Sequence, residues 1–205
     1  MTLWDVVGWL GNACYFTRFL LQWLASERAG QTRTPHAFWH FSLAGALLMS
    51  AYSVHREQWV MLAGYGINGL LYVRNLWLGL ARRRRRLGVR TAAALAGLAA
   101  LVLFAAQGEP KSGPEQPLAW LVCAIVGQSI WSTRFLVQWF LSEKRGLSYL
   151  PPSFWWISLA GNGPLLAYAI HLGDPVYIAA FVPGPLVQIR NLMLTRPAPD
   201  EAPAA

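Results

Sequence analysis

Long apolar segments alternate with short polar breaks along this chain. The segments run over 3–24, 35–55, 58–79, 91–107, 118–141, 151–171 and 174–194. Most of them have the roughly 20 mostly apolar residues that a helix needs to cross a hydrocarbon core of about 30 Å. The pattern therefore predicts an all-α integral membrane protein with seven transmembrane helices.

The chain also contains an internal repeat. When each residue is placed over the one 116 positions later, the run from Arg18 to Glu27 aligns without a gap with the run from Arg134 to Glu143. The same offset matches further residues of both polar and apolar type: Gly30/Gly146, Pro35/Pro151, Trp39/Trp155, Ser42/Ser158, Tyr52/Tyr168, His55/His171, Arg74/Arg190 and Asn75/Asn191. Because polar residues align as well as apolar ones, the repeat indicates a duplication.

The duplication predicts four parts of the chain. Residues 1–80 form a first three-helix repeat, and residues 118–195 form the second. Between them, residues 81–117 supply a basic loop, a linker helix at 91–107 and a polar loop, and the proline-containing tail at 196–205 is expected to be disordered. Because three is an odd number of spans, the linker helix restores the direction of the second copy, which makes the two copies parallel repeats.

The basic residues predict the orientation of this bundle. The loops after the first, third and fifth helices and the C-terminus carry eleven of them: Arg28, Arg33, Arg82 to Arg86, Arg90, Lys144, Arg145 and Arg196. The opposite side carries only Arg56 and Lys111. Since Lys and Arg are enriched in cytoplasmic loops, the C-terminus is predicted in the cytoplasm and the N-terminus outside.

Charge and composition fit this interpretation. The chain has 17 Lys and Arg against 9 Asp and Glu, for a net charge of +8, but only 13% of its residues are charged. A basic excess in a soluble chain would suggest nucleic acid as a partner. Here the run Arg82–Arg86 follows an apolar helix, so we interpret it as a topology anchor that attracts anionic membrane lipids, and expect no nucleic acid partner.

Four arginines remain, and all lie inside predicted helices: Arg18, Arg74, Arg134 and Arg190. Intramembrane arginine is costly and usually faces a bundle interior, water or an anion. Gln22 and Gln138 follow the first and third of these at i+4, on the same helix face. The alternatives are snorkelling of the arginines to lipid headgroups, or an ion pair with Glu27 or Glu143 of a neighbouring helix.

Further polar residues lie deeper in the predicted helices. Amides near the midplane could meet sugar hydroxyls or simply bridge helices. With those next to the arginines, the predicted substrate-binding set is Arg18, Gln22, Arg74, Asn75, Arg134, Gln138, Arg190, Asn191, Asn12, Asn68 and Asn162. Pro164, Pro183 and Pro185 occur only in the second repeat, where they predict bent, gating helices.

No recognised catalytic or cofactor motif appears in the sequence. His36 and His40 have the i, i+4 spacing of metal ligands, but the matching positions of the second repeat are Pro152 and Trp156, and no carboxylate is nearby. We therefore expect no catalytic residue, no metal and no cofactor, and predict that the chain is not an enzyme.

The repeated segments around Arg18, Ser42 and Arg74, with their second copies, resemble the lipid A biosynthesis N-terminal domain family, a small membrane module. The arrangement of three, one and three helices is also similar to SWEET sugar transporters and the wider PQ-loop class, although the Pro-Gln dipeptide is absent. These resemblances imply transport of a sugar or sugar-lipid in bacterial envelope glycosylation.

Together with the arginines, the resemblance predicts a multi-pass flippase of the bacterial inner membrane. Its substrate would be a glycosyl polyprenyl phosphate lipid carried from the cytoplasmic to the periplasmic leaflet, with a periplasmic-side glycosyltransferase as a further partner. The arginines would bind the phosphate, which suits their bidentate geometry. Two alternatives stay open: a SWEET-like carrier of a soluble sugar, and a non-transporting accessory membrane subunit of a lipid-glycosylating enzyme.

Overall fold

The computed structural model describes residues 2–30, 32–78, 116–145 and 150–194, without the side chains of residues 142–145. The regular elements of these ranges are all helical: α1 (Leu3–Ala29), α2 (His36–His55), α3 (Trp59–Leu78), α4 (Leu118–Arg145), α5 (Pro152–Leu172), α6 (Pro175–Phe181) and α7 (Gly184–Leu194). The predicted linker helix at 91–107, the run Arg82–Arg86 and the tail at 196–205 lie outside the described residues. The all-α class is confirmed.

Two helices of the described ranges are long enough and apolar enough to cross a membrane, α2 and the part of α4 from Leu118 to Leu141. The multi-span arrangement is therefore supported only in part by helix length and composition. The other helices are shorter, or they carry polar side chains that lower their mean hydropathy. In α1 they include Asn12, Arg18 and Gln22, which are buried.

In α1 the outer face is apolar and the inner face includes polar residues, which is the reverse of a helix in a soluble protein. Its outward side chains are apolar, and Leu10, Phe16 and Leu24 are each at least half exposed. Its inward side includes Arg18 at 5% and Gln22 at 0% exposure. Polar residues inside and apolar residues outside are the arrangement that a surrounding apolar solvent favours.

The segment predicted as one helix at 174–194 is divided in two. The helical N–H partner of the Phe181 carbonyl would come from Pro185, and proline has no N–H. The side-chain amide of Asn162 supplies the missing donor, with its Nδ2 3.1 Å from the Phe181 oxygen. Pro164, by contrast, lies within the continuous helix α5.

At the end of the bundle where α3 and α6 begin, equivalent hydrogen bonds join the two repeats. The Tyr52 hydroxyl donates to the Asp174 carboxylate at 2.8 Å, and the Tyr168 hydroxyl donates to Gln58 Oε1 at 3.0 Å. Asp174 also accepts the Val176 N–H at 2.9 Å and Arg56 Nε at 3.0 Å. The third helical segment of each repeat is thereby fixed to the second helix of the other repeat.

Candidate anion-binding site

Residues of both repeats enclose a small cavity of about 30 Å³. Its lining combines two cations, polar side chains, aromatic rings and small residues: Arg18, Arg134, Tyr15, Tyr65, Tyr72, Asn68, Gln128, Trp131, Phe19, Phe181, Gly64, Ala180 and Gly184. The space fits a headgroup of a few atoms. The repeat-related pair Arg18 and Arg134 thus meets at one site near the centre of the bundle.

Arg18 comes from the inner face of α1 and is surrounded by aromatic side chains. Its Nη1 donates to the Tyr72 hydroxyl at 2.8 Å. Its guanidinium carbon lies 4.3 Å from the centre of the Tyr15 ring and 4.7 Å from that of Phe19. Cation–π contact of this kind offsets part of the cost of burying the charge, by about 0.5–2 kcal/mol.

Arg134 occupies the equivalent place on α4. Its guanidinium carbon lies only 3.6 Å from the centre of the Trp131 ring. Its Nη1 reaches the Ser158 hydroxyl at 3.4 Å, which is a long hydrogen bond. The charge of Arg134 is also close enough to that of Arg18 for the two to repel each other.

Neither of these buried cations has a carboxylate partner among the described residues, where the ion pairs are Arg56–Asp174 and Arg190–Glu27. Arg18 is 5% exposed and Arg134 is 4% exposed. Buried charges are normally paired, because an unpaired one loses its hydration without compensation. Two repelling cations beside a cavity therefore form a candidate site for an anion.

Several buried polar atoms at the cavity lack a hydrogen-bond partner within the described part of the chain. They are the Nε atoms of Arg18 and Arg134, the Tyr65 hydroxyl and the Asn68 Oδ1. The Nε groups are donors, the amide oxygen is an acceptor, and the phenol is both. A group with several oxygens, such as a phosphate ester, could satisfy the donors, and a hydroxyl could satisfy the Asn68 oxygen.

One helical turn further along α1 and α4, two amide pairs cross between the repeats. Gln22 Nε2 donates to Asn191 Oδ1 at 2.5 Å, and Asn191 Nδ2 donates back to Gln22 Oε1 at 3.0 Å. Gln138 and Asn75 make the same reciprocal pair at 3.1 and 3.4 Å. These four residues form the amide layer, and they bond to one another without lining the cavity.

The other two arginines of the predicted set, Arg74 and Arg190, lie away from the cavity. Arg190 forms a bidentate ion pair with Glu27, with Nε–Oε1 and Nη2–Oε2 distances of 2.6 and 2.8 Å. Hydrogen bonds from Arg190 and then Trp23 lower the pKa of Glu27, which lies beyond the apolar segment of α1. Arg74 rests over the Trp139 ring at 5.0 Å. The sequence-based alternative of an interhelical ion pair with Glu27 is thus confirmed.

The amides predicted to lie near the midplane, Asn12, Asn68 and Asn162, have two different roles in the structure: two bridge helices and one lines the cavity. Asn12 Nδ2 donates to the Val176 carbonyl at 2.8 Å, and Asn162 supports the break at Phe181 as described above. Both therefore bridge helices. Of the three, only Asn68 lines the cavity.

The aromatic side chains of the cavity were not among the residues predicted from the sequence. Tyr65 and Tyr72 lie on α3 and lack counterparts of the same type in the second repeat. A signal was present, because Tyr65, Asn68 and Tyr72 follow one another at spacings of three and four and so share one helix face.

Comparison with known proteins gives two further findings. The sequence model of the family described as Lipid A Biosynthesis N-terminal domain matches residues 7–77 and again residues 124–193. Curated relatives named lipid-A-disaccharide synthase match nearly the whole chain. That of Chlamydia pneumoniae is 29% identical over 92% of this chain and 33% of its own length, and those of Chlamydia muridarum and Chlamydia trachomatis serovar D are each 27% identical over 95% of this chain and 34% of theirs.

This chain therefore spans about a third of the length of these relatives. No solved structure matches it.

The relatives' names correct the predicted function. They name an enzyme of lipid A biosynthesis, so the predictions of a flippase, of a soluble-sugar carrier and of a chain without an enzyme function are wrong. The error has a physical reason. Buried arginines suit a protein that binds a lipid phosphate, and this holds equally for a protein that moves the lipid and for one that takes part in its synthesis.

Proposed function

Since the chain belongs to the lipid A biosynthesis N-terminal domain family, we propose that it works in lipid A biosynthesis, as the helical module of a lipid-A-disaccharide synthase. The observation that carries this proposal is the double match of the family together with relatives of that name over more than 90% of the chain. The synthase activity of the relatives is thereby proposed for the protein in which this module acts.

We further propose that the module is a multi-pass protein of the bacterial inner membrane. The apolar outer face and polar inner face of α1 support this placement, as do the two helices of sufficient length and hydropathy. The predicted arrangement with the N-terminus outside rests on the distribution of Lys and Arg in the loops.

The geometry supports a specific task for the module, which is to bind the phosphate of a membrane lipid between Arg18 and Arg134. Both guanidinium groups are buried without a carboxylate partner in the described ranges, and both retain an unpaired Nε. Arginine binds phosphate oxygens with charge-assisted hydrogen bonds, which are about twice as strong as neutral ones. The phosphate could belong to an acylated lipid or to a polyprenyl phosphate.

Lipid analysis of a strain depleted of this chain tests the proposal. We expect the amount of lipid A disaccharide, measured by mass spectrometry of extracted lipids, to fall on depletion and to recover with the wild-type chain. Arg18→Ala and Arg134→Ala should restore it less than wild type does. Thr133→Ala is the matched control, because this side chain is exposed and adjacent to Arg134. Unchanged lipid A disaccharide after depletion would refute the role in lipid A biosynthesis.

A further inference from the structure

An apolar groove of about 300 Å³ lies beside the arginine cavity, between α1 and the end of α6. Its walls are almost entirely apolar: Trp9, Asn12, Ala13, Tyr15, Phe16, Phe19, Ala179, Ala180 and Pro183. Phe16 and Trp9 are 53% and 42% exposed. The groove therefore faces the surroundings of the bundle on one side.

The groove and the cavity share three lining residues, Tyr15, Phe19 and Ala180. Of these, Tyr15 and Phe19 also hold the Arg18 guanidinium within 5 Å of their ring centres. A ligand with its anionic group at the arginines would thus have the open groove directly next to it. The juxtaposition suits an amphiphile with a charged head and an apolar chain.

The break at Pro183 and the small side chains of α6 produce this groove. Ala179 and Ala180 supply only methyl groups to the wall, opposite the rings of Phe16 and Phe19. At the repeat-related place between α4 and α3, Gln128 lies so close to Gly64 that an added Cβ would be 2.2 Å from its amide carbon. The space between these helices is therefore filled by the Gln128 side chain at α3 and α4, whereas the equivalent space between α1 and α6 is left open as the groove.

We propose that this groove holds a straight acyl chain of the lipid whose phosphate binds Arg18 and Arg134. The inference rests on the proposed phosphate site and deepens it, because it makes the ligand a single acylated phospholipid that enters from the bilayer. An acyl chain is unbranched and can lie flat between a wall of rings and a wall of methyl groups. The chain contributes packing contacts, while the arginines select the charged head.

A paired substitution tests the groove. Ala179→Trp places a large ring in the groove, and Ala179 itself does not line the arginine cavity. Ala63→Trp is the control, because Ala63 is the repeat-related position, is exposed and lines neither space. Ala13→Trp, on the opposite wall, serves as a second variant if Ala179→Trp fails to fold.

The probes are dimyristoyl phosphatidic acid, whose saturated acyl chains are straight, and, for the head alone, glycerol 3-phosphate. Native mass spectrometry in neutral detergent counts protein molecules that carry one phosphatidic acid, and thermal stabilisation reports on glycerol 3-phosphate. Ala179→Trp should lower phosphatidic acid occupancy at least tenfold and leave the glycerol 3-phosphate effect unchanged. Ala63→Trp should match wild type in both measurements.

The outcomes separate the groove from the phosphate site. Wild-type occupancy by phosphatidic acid in both Ala179→Trp and Ala13→Trp would overturn the groove inference while leaving the phosphate site standing. Wild-type occupancy in Arg18→Gln and Arg134→Gln would overturn the phosphate site itself. Tighter binding of a polyprenyl phosphate than of phosphatidic acid would show that the groove takes a branched isoprenoid chain, and would also overturn the acyl assignment.

Discussion

Substitutions in the amide layer can measure how much the hydrogen bonds between the two repeats contribute to the free energy of unfolding. Replacing Gln22 by Leu removes both hydrogen bonds to Asn191 at nearly constant volume. Asn191 Nδ2 keeps the Val187 carbonyl at 2.8 Å, but Oδ1 loses the donor that lay 2.5 Å away. Loss of the donor from a buried acceptor costs about 1–3 kcal/mol. The free energy of unfolding should therefore fall by about this amount.

The reverse substitution, Asn191→Leu, leaves a similar deficit on Gln22. Gln22 Nε2 keeps Ser26 Oγ at 2.9 Å, whereas Oε1 loses the Asn191 amide. In the double variant both amides are absent, so neither buried oxygen is left without its donor. The two substitutions should therefore be less than additive, with a coupling energy of about 1–2 kcal/mol, near the upper end of values seen between membrane helices.

Reversible unfolding in mixed detergent and dodecyl sulfate micelles, followed by far-ultraviolet circular dichroism, gives the four free energies of the cycle. The equivalent cycle on Gln138 and Asn75 is the internal control. Its hydrogen bonds are longer, at 3.1 and 3.4 Å, so its coupling should be smaller. Additivity within about 0.3–0.5 kcal/mol for Gln22 and Asn191 would refute the crossed-pair reasoning.

Three further predictions concern charged groups. Arg134→Met should not lower the melting temperature of the lipid-free protein, because it removes a buried charge without a carboxylate partner in the described ranges. If α4 spans the membrane as proposed, such a charge costs about 2.5–3.5 kcal/mol near the helix centre, and a fall of several degrees would contradict this reasoning. Asp174→Ala should lower the free energy of unfolding by at least about 1–2 kcal/mol, because it removes a helix cap and the acceptor of Tyr52. Tyr52→Phe removes only the hydrogen bond to Asp174 and should lower the free energy of unfolding by less. Equal losses in the two variants would argue against the cap.

The third prediction concerns Glu27. Its pKa is lowered below 4.5 in the folded state, so the stability from its pair with Arg190 is full above that pH and is lost as the pH falls through the folded pKa. Glu27→Gln should flatten this part of a melting-temperature profile measured between pH 3 and 6, and an unchanged acid slope would show that other carboxylates dominate it.

The sequence was informative where residue type alone restricts position. Apolar runs predicted the helices α1 to α5 to within a few residues at most ends, and the repeat predicted that Arg18 and Arg134 are related. The periodicity of the chain could not show the division at Pro183, because the apolar pattern continues through it. Only the neighbouring Asn162, which satisfies the freed carbonyl, explains how the chain tolerates the break.

The rotation of each helix about its own axis was the second feature that the sequence could not predict. Gln22 follows Arg18 at i+4, which places both on one face, but this spacing does not show which of them meets the cavity. The structure separates them because Gln22 pairs with Asn191 of the other repeat, and no pattern within one helix contains that partner. Contacts between distant segments decide such cases.

The duplicated arginines have diverged in their surroundings, and this divergence predicts unequal roles. Arg18 Nη1 is engaged by the Tyr72 hydroxyl at 2.8 Å, whereas the position that corresponds to Tyr72 in the second repeat is Gln188. The Nη1 of Arg134 reaches Ser158 only at 3.4 Å, so it is held more weakly than the Nη1 of Arg18.

A bound phosphate should gain more from the arginine whose Nη1 makes the longer hydrogen bond inside the protein. Arg134→Gln should therefore reduce phosphatidic acid occupancy by a larger factor than Arg18→Gln, when both are measured by native mass spectrometry at equal lipid mole fraction. If Arg18→Gln has the larger effect, the ligand depends on the Tyr72-bound guanidinium, and the order of the two sites proposed from their hydrogen bonds is wrong.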